Sequence, residues 1–183
     1  IVMYNDNDSS TTKCHAITLD SSGNATVGSA ATLTNASIVG TYLSATYVEG
    51  VGVVACYMVS GAYKSRIITV SGTTITLGAE VTISTNSIVA NGVAYDSTNS
   101  RVVTAFVDSN NSYKTYYSVA RISGTTLYYS TPAVAIDAAT PRIFYQHQLT
   151  FDAERSKLIL NGYTSQTGQI YIGTVNKNDN TVT

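Results

Sequence analysis

The sequence predicts an all-β protein, in which four-stranded antiparallel blades form a β-propeller-like array of about three full repeats with partial repeats at both ends. The 183 residues include 19 Val and 14 Ile but only 8 Leu, and β-branched side chains favour the pleated surface of a sheet. The chain also repeats itself about every 50 residues, as solenoids and propellers do. Its 11% of charged residues and its two prolines disfavour a helical bundle, a coiled coil and a charged disordered chain.

The repeat is visible in pairs of matched segments. Gly72 and Gly124 lie 52 residues apart in the similar stretches VSGTTITL and ISGTTLYY, and Asn35 and Asn86 lie 51 apart in TNASIV and TNSIVA. One two-residue marker recurs four times, at spacings of 51, 52 and 53 residues: Thr18-Leu19, Thr69-Val70, Arg121-Ile122 and Thr174-Val175. These spacings divide the chain into a partial repeat at 1–19, full repeats at 20–70, 71–122 and 123–175, and the start of a further repeat at 176–183. Because the chain opens in mid-repeat, we expect it to be part of a longer array.

Each repeat divides into four strand-like runs separated by turn residues. In the second repeat these runs are TITLGAEVTI, IVANGVAY, RVVTAFV and YYSVARI. The first alternates apolar and polar residues, whereas the third is almost continuously apolar, which is typical of a strand with both faces covered. Short sheets of this kind have to stack face to face on their own copies. Stacking around an axis gives a propeller and stacking along a line gives a linear β array; four strands in each repeat favour the propeller.

Two positions recur at the hairpin between the second and third runs. Tyr47, Tyr95 and Phe151 end the second run and are predicted to anchor the core. Asp96 and Asp152 follow two of them, where a carboxylate can accept hydrogen bonds from the backbone of its own turn. A repeated residue of this kind is expected to be structural, whereas catalytic carboxylates would be unique and would converge from different blades.

Charge and cysteine usage exclude several classes of function. The ten Lys and Arg residues are scattered and the formal net charge is −1, so neither a nucleic acid nor an anionic membrane is an expected partner. No stretch approaches the ~18 apolar residues of a membrane-spanning helix. Cys14 and Cys56 are interpreted as small buried residues, and no metal-binding Cys/His spacing is present. With no nucleophile, metal or cofactor predicted, the chain is not expected to be an enzyme.

The candidate ligand-binding residues lie in the most polar version of the second run: Arg142, Tyr145, Gln146, His147 and Gln148. The other repeats have Leu43 and Asn91 where this one has His147, and a site can be added to a repetitive scaffold where the repeat is broken. Planar donors and acceptors beside an aromatic ring suit sugar hydroxyls; an ordinary polar strand end is the alternative interpretation. Tyrosines also concentrate near the loops between the third and fourth runs, as rim packing or as a recognition surface: Tyr63, Tyr113, Tyr116, Tyr117, Tyr128 and Tyr129.

The stretches YDSTNSRVVTAFVDSNNSY and SVARISGTTLYYSTPAVAI resemble tandem β-propeller-like repeats from tail-fibre and other virion-surface proteins of tailed bacteriophages, which also occur in bacterial surface proteins. The resemblance covers nearly the whole chain, although the first repeat has Tyr47-Val48-Glu49-Gly50 in place of the aromatic-Asp pair. It implies a non-enzymatic structural or adhesive component on the outside of a virion or cell. Its implied partners are other copies or chains of the same assembly and surface polysaccharide. The alternative is a β-propeller hydrolase or lyase that acts on polysaccharide.

Overall fold

Four antiparallel sheets, here named I to IV, follow one another along the chain. The computed structural model describes residues 1–36, 38, 42–130, 134–135, 148–163 and 168–183. All regular structure in these ranges is β-strand, which confirms the all-β prediction. No closed propeller is found within them.

Sheet I has three strands in the order β1-β2-β5. They are β1 (Val2–Asp6), β2 (Thr11–His15) and β5 (Ala31–Thr34). A short hairpin of β3 (Ile17–Leu19) and β4 (Ala25–Val27) lies between β2 and β5 along the chain.

Sheet II has the strand order β6-β7-β8, and two short strands in succession pair with the far side of β8. The strands are β6 (Leu43–Val48), β7 (Gly52–Val59), β8 (Ala62–Ser71), β9 (Thr74–Leu77) and β10 (Val81–Ser84). Since β9 and β10 pair with different halves of β8, they act together as one interrupted fourth strand.

Sheet III repeats this arrangement. Its strands are β11 (Ile88–Asp96), β12 (Arg101–Asp108), β13 (Lys114–Ser123), β14 (Thr126–Tyr129) and β15 (Val134–Ala135). The order is β11-β12-β13, with β14 and β15 pairing with the two halves of β13.

Sheet IV has the order β16-β17-β18 and is followed by a hairpin. Its strands are β16 (Gln148–Asp152), β17 (Lys157–Tyr163) and β18 (Gly168–Gly173). The hairpin consists of β19 (Val175–Asn176) and β20 (Thr181–Val182).

The sheets are offset from the sequence repeats. Sheet II takes β6, β7 and nearly all of β8 from the repeat at 20–70, and its interrupted fourth strand from the repeat at 71–122. Sheet III crosses the next boundary in the same way. The run order in these two sheets is therefore second, third, fourth, and then the first run of the following repeat.

Apolar cores hold successive sheets together. Between sheets I and II, Cys14 and Leu33 meet Tyr57 and Ile68. The core between sheets II and III is the largest: Val48, Val54, Cys56, Tyr63 and Ile67 of sheet II meet Ile88, Val93, Val102, Phe106, Ala120 and Leu127 of sheet III. The third core joins sheets III and IV. We call the face of a sheet that packs on the preceding sheet its leading face, and the opposite face its trailing face.

The continuously apolar third run of the second repeat is covered on both faces, as predicted. Val102 is fully buried in the core toward sheet II, whereas its neighbour Val103 is buried toward sheet IV. Consecutive strand residues point to opposite faces. A central strand with a sheet on each side therefore requires apolar residues at successive positions.

The predicted anchors behave differently from one another. Tyr95 and Phe151 pack against cores, but Tyr47 is 67% exposed, so the prediction was wrong for Tyr47. The reason is the composition of sheet I. Its described strands begin with β1, which corresponds to β7, so no strand of sheet I stands where β6 stands in sheet II.

Two glycines let the turn of the following sheet come close. Gly28 directly follows β4, and Gly78 directly follows β9, the first of the two short outer strands of sheet II. A Cβ atom would lie 2.0 Å from the carbonyl oxygen of Thr73 at Gly28, and 2.2 Å from that of Thr125 at Gly78. Such distances are far below van der Waals contact, so a side chain at either position would push the sheets apart.

Candidate functional site

The predicted ligand-binding segment falls mostly outside the described residues. Arg142, Tyr145, Gln146 and His147 lie there, and Gln148 is the first residue of β16, paired with Asn161. The preceding repeat has Asn91 at the position of His147. Asn91 is buried, and its Nδ2 donates to the carbonyl oxygens of Tyr42 at 3.2 Å and Cys56 at 3.3 Å. In that repeat the position therefore serves the junction between sheets II and III.

A polar groove of about 440 Å³ lies between sheets II and III, where β10 ends and β12 turns into β13. We call it the polar groove and define it by six of its lining residues: Ser84, Asn86, Asp108, Asn111, Tyr116 and Tyr129. Two loops build its rim. The Ser109 backbone N–H and hydroxyl both donate to the carbonyl oxygen of Ser87, at 3.0 and 2.8 Å, which ties one loop to the other.

Short polar side chains shape both loops. The hydroxyl oxygen of Ser84 accepts from the backbone N–H of Asn86 at 3.1 Å, and the Asn86 amide donates to Asp108 Oδ2 at 2.6 Å. The other carboxylate oxygen of Asp108 accepts from the Asn110 backbone at 2.9 Å. Ser, Asn and Asp close turns in this way because their side chains reach nearby backbone groups.

The β12–β13 loop stores backbone strain. Ser112 and Tyr113 have φ angles of 54° and 56°, a left-handed conformation that is uncommon for residues other than glycine. Two such residues in succession cost free energy and persist where the surrounding structure holds them. Here the loop carries Asn111, whose Nδ2 donates to the hydroxyl oxygen of Tyr116.

An aromatic row connects the groove to the core. The ring of Tyr116 stacks on Phe106 with centroids 5.9 Å apart, and Phe106 meets Tyr63 at 5.1 Å with the rings tilted by 53°. Tyr63 and Phe106 are buried, whereas Tyr116 is half-buried. Burial raises the pKa of Tyr116, and the charge of Asp108 raises it further. Its hydroxyl therefore stays protonated at neutral pH, able to donate and to accept.

Below the groove, buried polar groups surround the thiol of Cys56. The hydroxyls of Tyr63, Ser65 and Tyr129 are buried there, without a hydrogen-bond partner of ordinary geometry among the described residues. Burial raises the pKa of Cys56 to about 12, which the neighbouring phenol groups of Tyr63 and Tyr129 only partly offset. The thiol is therefore protonated at neutral pH, and a thiolate is the form in which cysteine acts as a nucleophile.

The recurrent aspartates hold hairpin loops, as predicted. Asp96 accepts from the backbone N–H of Asn99 at 3.0 Å and from its side-chain amide at 2.8 Å. Asp152 accepts from the backbone N–H groups of Glu154 and Arg155, at 3.1 and 3.2 Å. Hydrogen bonds from Arg155 lower the pKa of Asp152. Both carboxylates are thus occupied within their own turns.

The predicted tyrosine group divides between core and surface. Tyr63 and Tyr117 are buried, Tyr116 and Tyr129 line the polar groove, and Tyr113 is 41% exposed. Tyr128, on the outer strand of sheet III, packs under the guanidinium group of Arg121 at 4.3 Å from the ring centre. The group therefore contains both packed and exposed members, and recognition by the exposed ones stays a prediction.

The groove residues Asn86, Asp108 and Asn111 lie in turns between the strand-like runs of the sequence, but their meeting depends on how sheets II and III stack. Two features of the sequence point to these residues. Asn86 recurs one repeat earlier as Asn35. The order of strands also places the loop of Asn86 and the loop of Asn111 at the same end of neighbouring sheets.

Comparison with known proteins adds no family assignment. Neither a protein-family model nor a curated protein matches the sequence. Within the ranges that the structure describes, no helix has the length and apolar character needed to cross a membrane.

Proposed function

We propose that this chain is a non-enzymatic structural and adhesive module displayed on the outside of a virion or cell, in the manner of a phage tail fibre. Its sheets serve as blades of a β-propeller-like array, and the polar groove between sheets II and III binds surface polysaccharide. The observation that carries the proposal is the groove itself. It gathers amide, carboxylate, hydroxyl and aromatic groups at the loop end of a scaffold whose sheet faces are otherwise used for packing.

The packing of the first strands supports a propeller-like arrangement. β11 lies alongside β6 of the preceding sheet and also alongside β16 of the following sheet. First strands that converge in this way are what an inner ring of blade strands requires. The fourth-strand position, filled by β9 and β10 in one sheet and by β14 and β15 in the next, is the outer edge of each blade.

The chemistry of the groove favours neutral sugars over acidic ones. Among the residues that the structure describes, its lining contains no Lys or Arg, and its one charged residue is Asp108, with its carboxylate. An anionic glycan would meet a like charge without a cation to compensate. Hydroxyl groups of a neutral sugar both donate and accept, which matches the amide of Asn111 and the hydroxyls of Tyr116 and Ser84. The half-buried ring of Tyr116 adds apolar surface of the kind that lines ligand sites.

Binding and turnover can be measured on the same protein. A glycan array probed with the 183-residue chain is expected to give neutral polysaccharide ligands, and Asn111→Ala is expected to weaken their binding about five- to thirtyfold, as a loss of about 1–2 kcal/mol would do. Asn110→Ala is the matched control, because Asn110 is the neighbouring residue of the same loop but does not line the groove. Equal binding by the two variants would exclude the groove as the site.

The same ligands should not be cleaved. Incubation with the bound polysaccharide, followed by a reducing-sugar assay and by ultraviolet absorbance for unsaturated products, is expected to show no turnover. Turnover that tracks the purified protein would overturn the non-enzymatic assignment and favour the polysaccharide hydrolase or lyase.

A further inference from the structure

A row of short polar side chains crosses the trailing face of sheet II, inside the junction with sheet III. Ser44 of β6 pairs with Cys56 of β7, and Cys56 pairs with Ser65 of β8. Directly paired residues of an antiparallel sheet lie on the same face, and Cys56 belongs to the core that sheet II shares with sheet III. The three side chains therefore form one row within this core, which we call the polar row.

Two tyrosines bring their hydroxyl groups to the polar row from opposite sheets. Tyr63 lies two residues before Ser65 on β8 and hence on the same face. Tyr129 belongs to β14, on the outer side of sheet III, and packs against the shared core. The phenol groups of both tyrosines lie beside the Cys56 thiol, and that of Tyr129 also lies beside the Ser65 hydroxyl. The junction thus gathers four hydroxyl groups around one thiol.

The four hydroxyls lack a hydrogen-bond partner of ordinary geometry within the part of the chain that the structure describes. Their oxygen atoms are all buried: those of Ser44, Tyr63, Ser65 and Tyr129. The whole side chains of Tyr63 and Ser65 are 0% exposed. A buried hydroxyl without a partner costs free energy, so four of them in one core indicate that a further group binds there.

The same pair of positions carries no such hydroxyl in the neighbouring sheets. Where sheet II has Cys56 opposite Ser65, sheet I has Met3 opposite Cys14. Sheet III has Ala105 opposite Tyr117, and the Tyr117 hydroxyl accepts from the backbone N–H of Val182 at 3.1 Å. The cluster is therefore a property of the junction between sheets II and III and not of the repeat.

The chemistry of the cluster favours a small neutral ligand. Burial raises the pKa of the Cys56 thiol to about 12, and it raises the pKa values of Tyr63 and Tyr129 as well, so these groups are uncharged at neutral pH. A metal ion would require thiolate, imidazole or carboxylate ligands, and a buried anion would require a cation. Water donates and accepts, makes about three hydrogen bonds when buried and needs only about 10–15 Å³.

We propose that the junction between sheets II and III holds internal water beside the Cys56 thiol, bound by the four buried hydroxyls. One water molecule can accept from a tyrosine and donate to a serine of the other sheet, so it joins the two sheets through hydrogen bonds. Tyr129 also lines the polar groove, which gives this water a short route to solvent past a single ring. The proposal goes beyond the function proposed above and does not rest on it.

Oxygen-17 magnetic relaxation dispersion tests this, because it counts the water molecules that stay in a protein far longer than surface water does. The wild-type chain is expected to hold at least one more long-lived water than the double variant Tyr63→Phe/Ser65→Ala, which loses two of the hydroxyls. Tyr128→Phe is the matched control: Tyr128 is the neighbour of Tyr129 on β14 and is 46% exposed, so the variant should keep the wild-type count. An equal count in the wild type and the double variant would overturn the proposal.

Thermal melting of the single variants gives a second readout. Removing a buried hydroxyl that has no partner should raise the melting temperature, because its desolvation cost disappears, whereas removing one that binds water should lower it. Tyr63→Phe and Ser65→Ala are therefore each expected to lower the melting temperature. Their combined loss should be smaller than the sum, because both hydroxyls serve the same water. A higher melting temperature for Tyr63→Phe would contradict the proposal. Neither readout involves glycan binding, so both hold whatever the polar groove binds.

Discussion

The junction between sheets II and III and the junction between sheets III and IV share one strand framework but are filled differently. In the first, Phe106 of the leading face of sheet III lies between Tyr63 and Tyr116, at the boundary between the apolar core and the polar groove. In the second, register places Gly162 at the position of Phe106, and an apolar cleft of about 370 Å³ remains, lined by residues such as Ala105 and Tyr117. The repeat thus sets where the sheets lie, and single positions decide how well each junction is packed.

The largest effect expected from this comparison is the loss of the Phe106 ring. Phe106→Ala should lower the free energy of unfolding by about 3–5 kcal/mol, because it removes a buried aromatic side chain from a closed core. Leu158 is buried in the looser junction beside the cleft, so Leu158→Ala should cost only about 2 kcal/mol, the low end of the range for such changes. Urea denaturation at constant pH measures both. Equal losses would mean that the two junctions are packed alike.

Enlarging one alanine to valine at each junction should change the free energy of unfolding by smaller amounts and in opposite directions. Ala105→Val points into the cleft and should raise the free energy of unfolding by about 0.5–1 kcal/mol, as cavity-filling substitutions do. Ala120 is fully buried in the closed core between sheets II and III, so Ala120→Val should cost about 1–3 kcal/mol by overpacking. Thermal melts of the pair provide the test, and a gain from Ala120→Val would contradict the comparison.

The smallest effect concerns an ion pair within sheet II that lies beside Tyr57, at the junction with sheet I. Tyr57 and Lys64 donate to the two carboxylate oxygens of Glu80, at 2.8 and 2.6 Å. Burial raises the pKa of Glu80, but these hydrogen bonds outweigh it and hold the pKa below its ordinary value of 4.5. The carboxylate therefore stabilises the fold above the unfolded-state pKa, and this contribution is lost as the pH falls through the folded-state pKa.

Glu80→Gln is expected to lower stability at neutral pH by no more than about 1 kcal/mol, since the pair is partly exposed. It should also reduce the fall in melting temperature between about pH 5 and about pH 3. Glu49→Gln, which removes a carboxylate from the exposed hairpin that follows β6, is the matched control. An unchanged acid transition in Glu80→Gln would show that this carboxylate has no part in acid stability.

Much of the fold could be predicted because the repeat and the strand periodicity are local. The run at Val102 and Val103 indicated a strand covered on both faces, and the carboxylates of Asp96 and Asp152 indicated hairpin turns. The buried state of Cys14 and Cys56 followed from their place within strand runs and is confirmed.

The features that could not be predicted from the sequence depend on contacts between sheets. Tyr47 has the same local pattern as Tyr95, yet its exposure is decided by which strands sheet I contains. The polar groove required Asn86 and Asp108 to meet from different sheets, and neither loop carries that information alone. The filling of each junction likewise depends on a pair of faces, which no single repeat contains.

The offset between sheets and repeats has a consequence for any shortened form of the chain. Truncation after Ile122 follows the sequence boundary, yet it would remove β14 and β15 and leave sheet III without its outer strand. Each repeat supplies the outer strand of the sheet before it. Deletions that the fold tolerates should therefore begin and end just before the first strand of a sheet, near residue 42 before β6 or residue 86 before β11, and not at the repeat boundary.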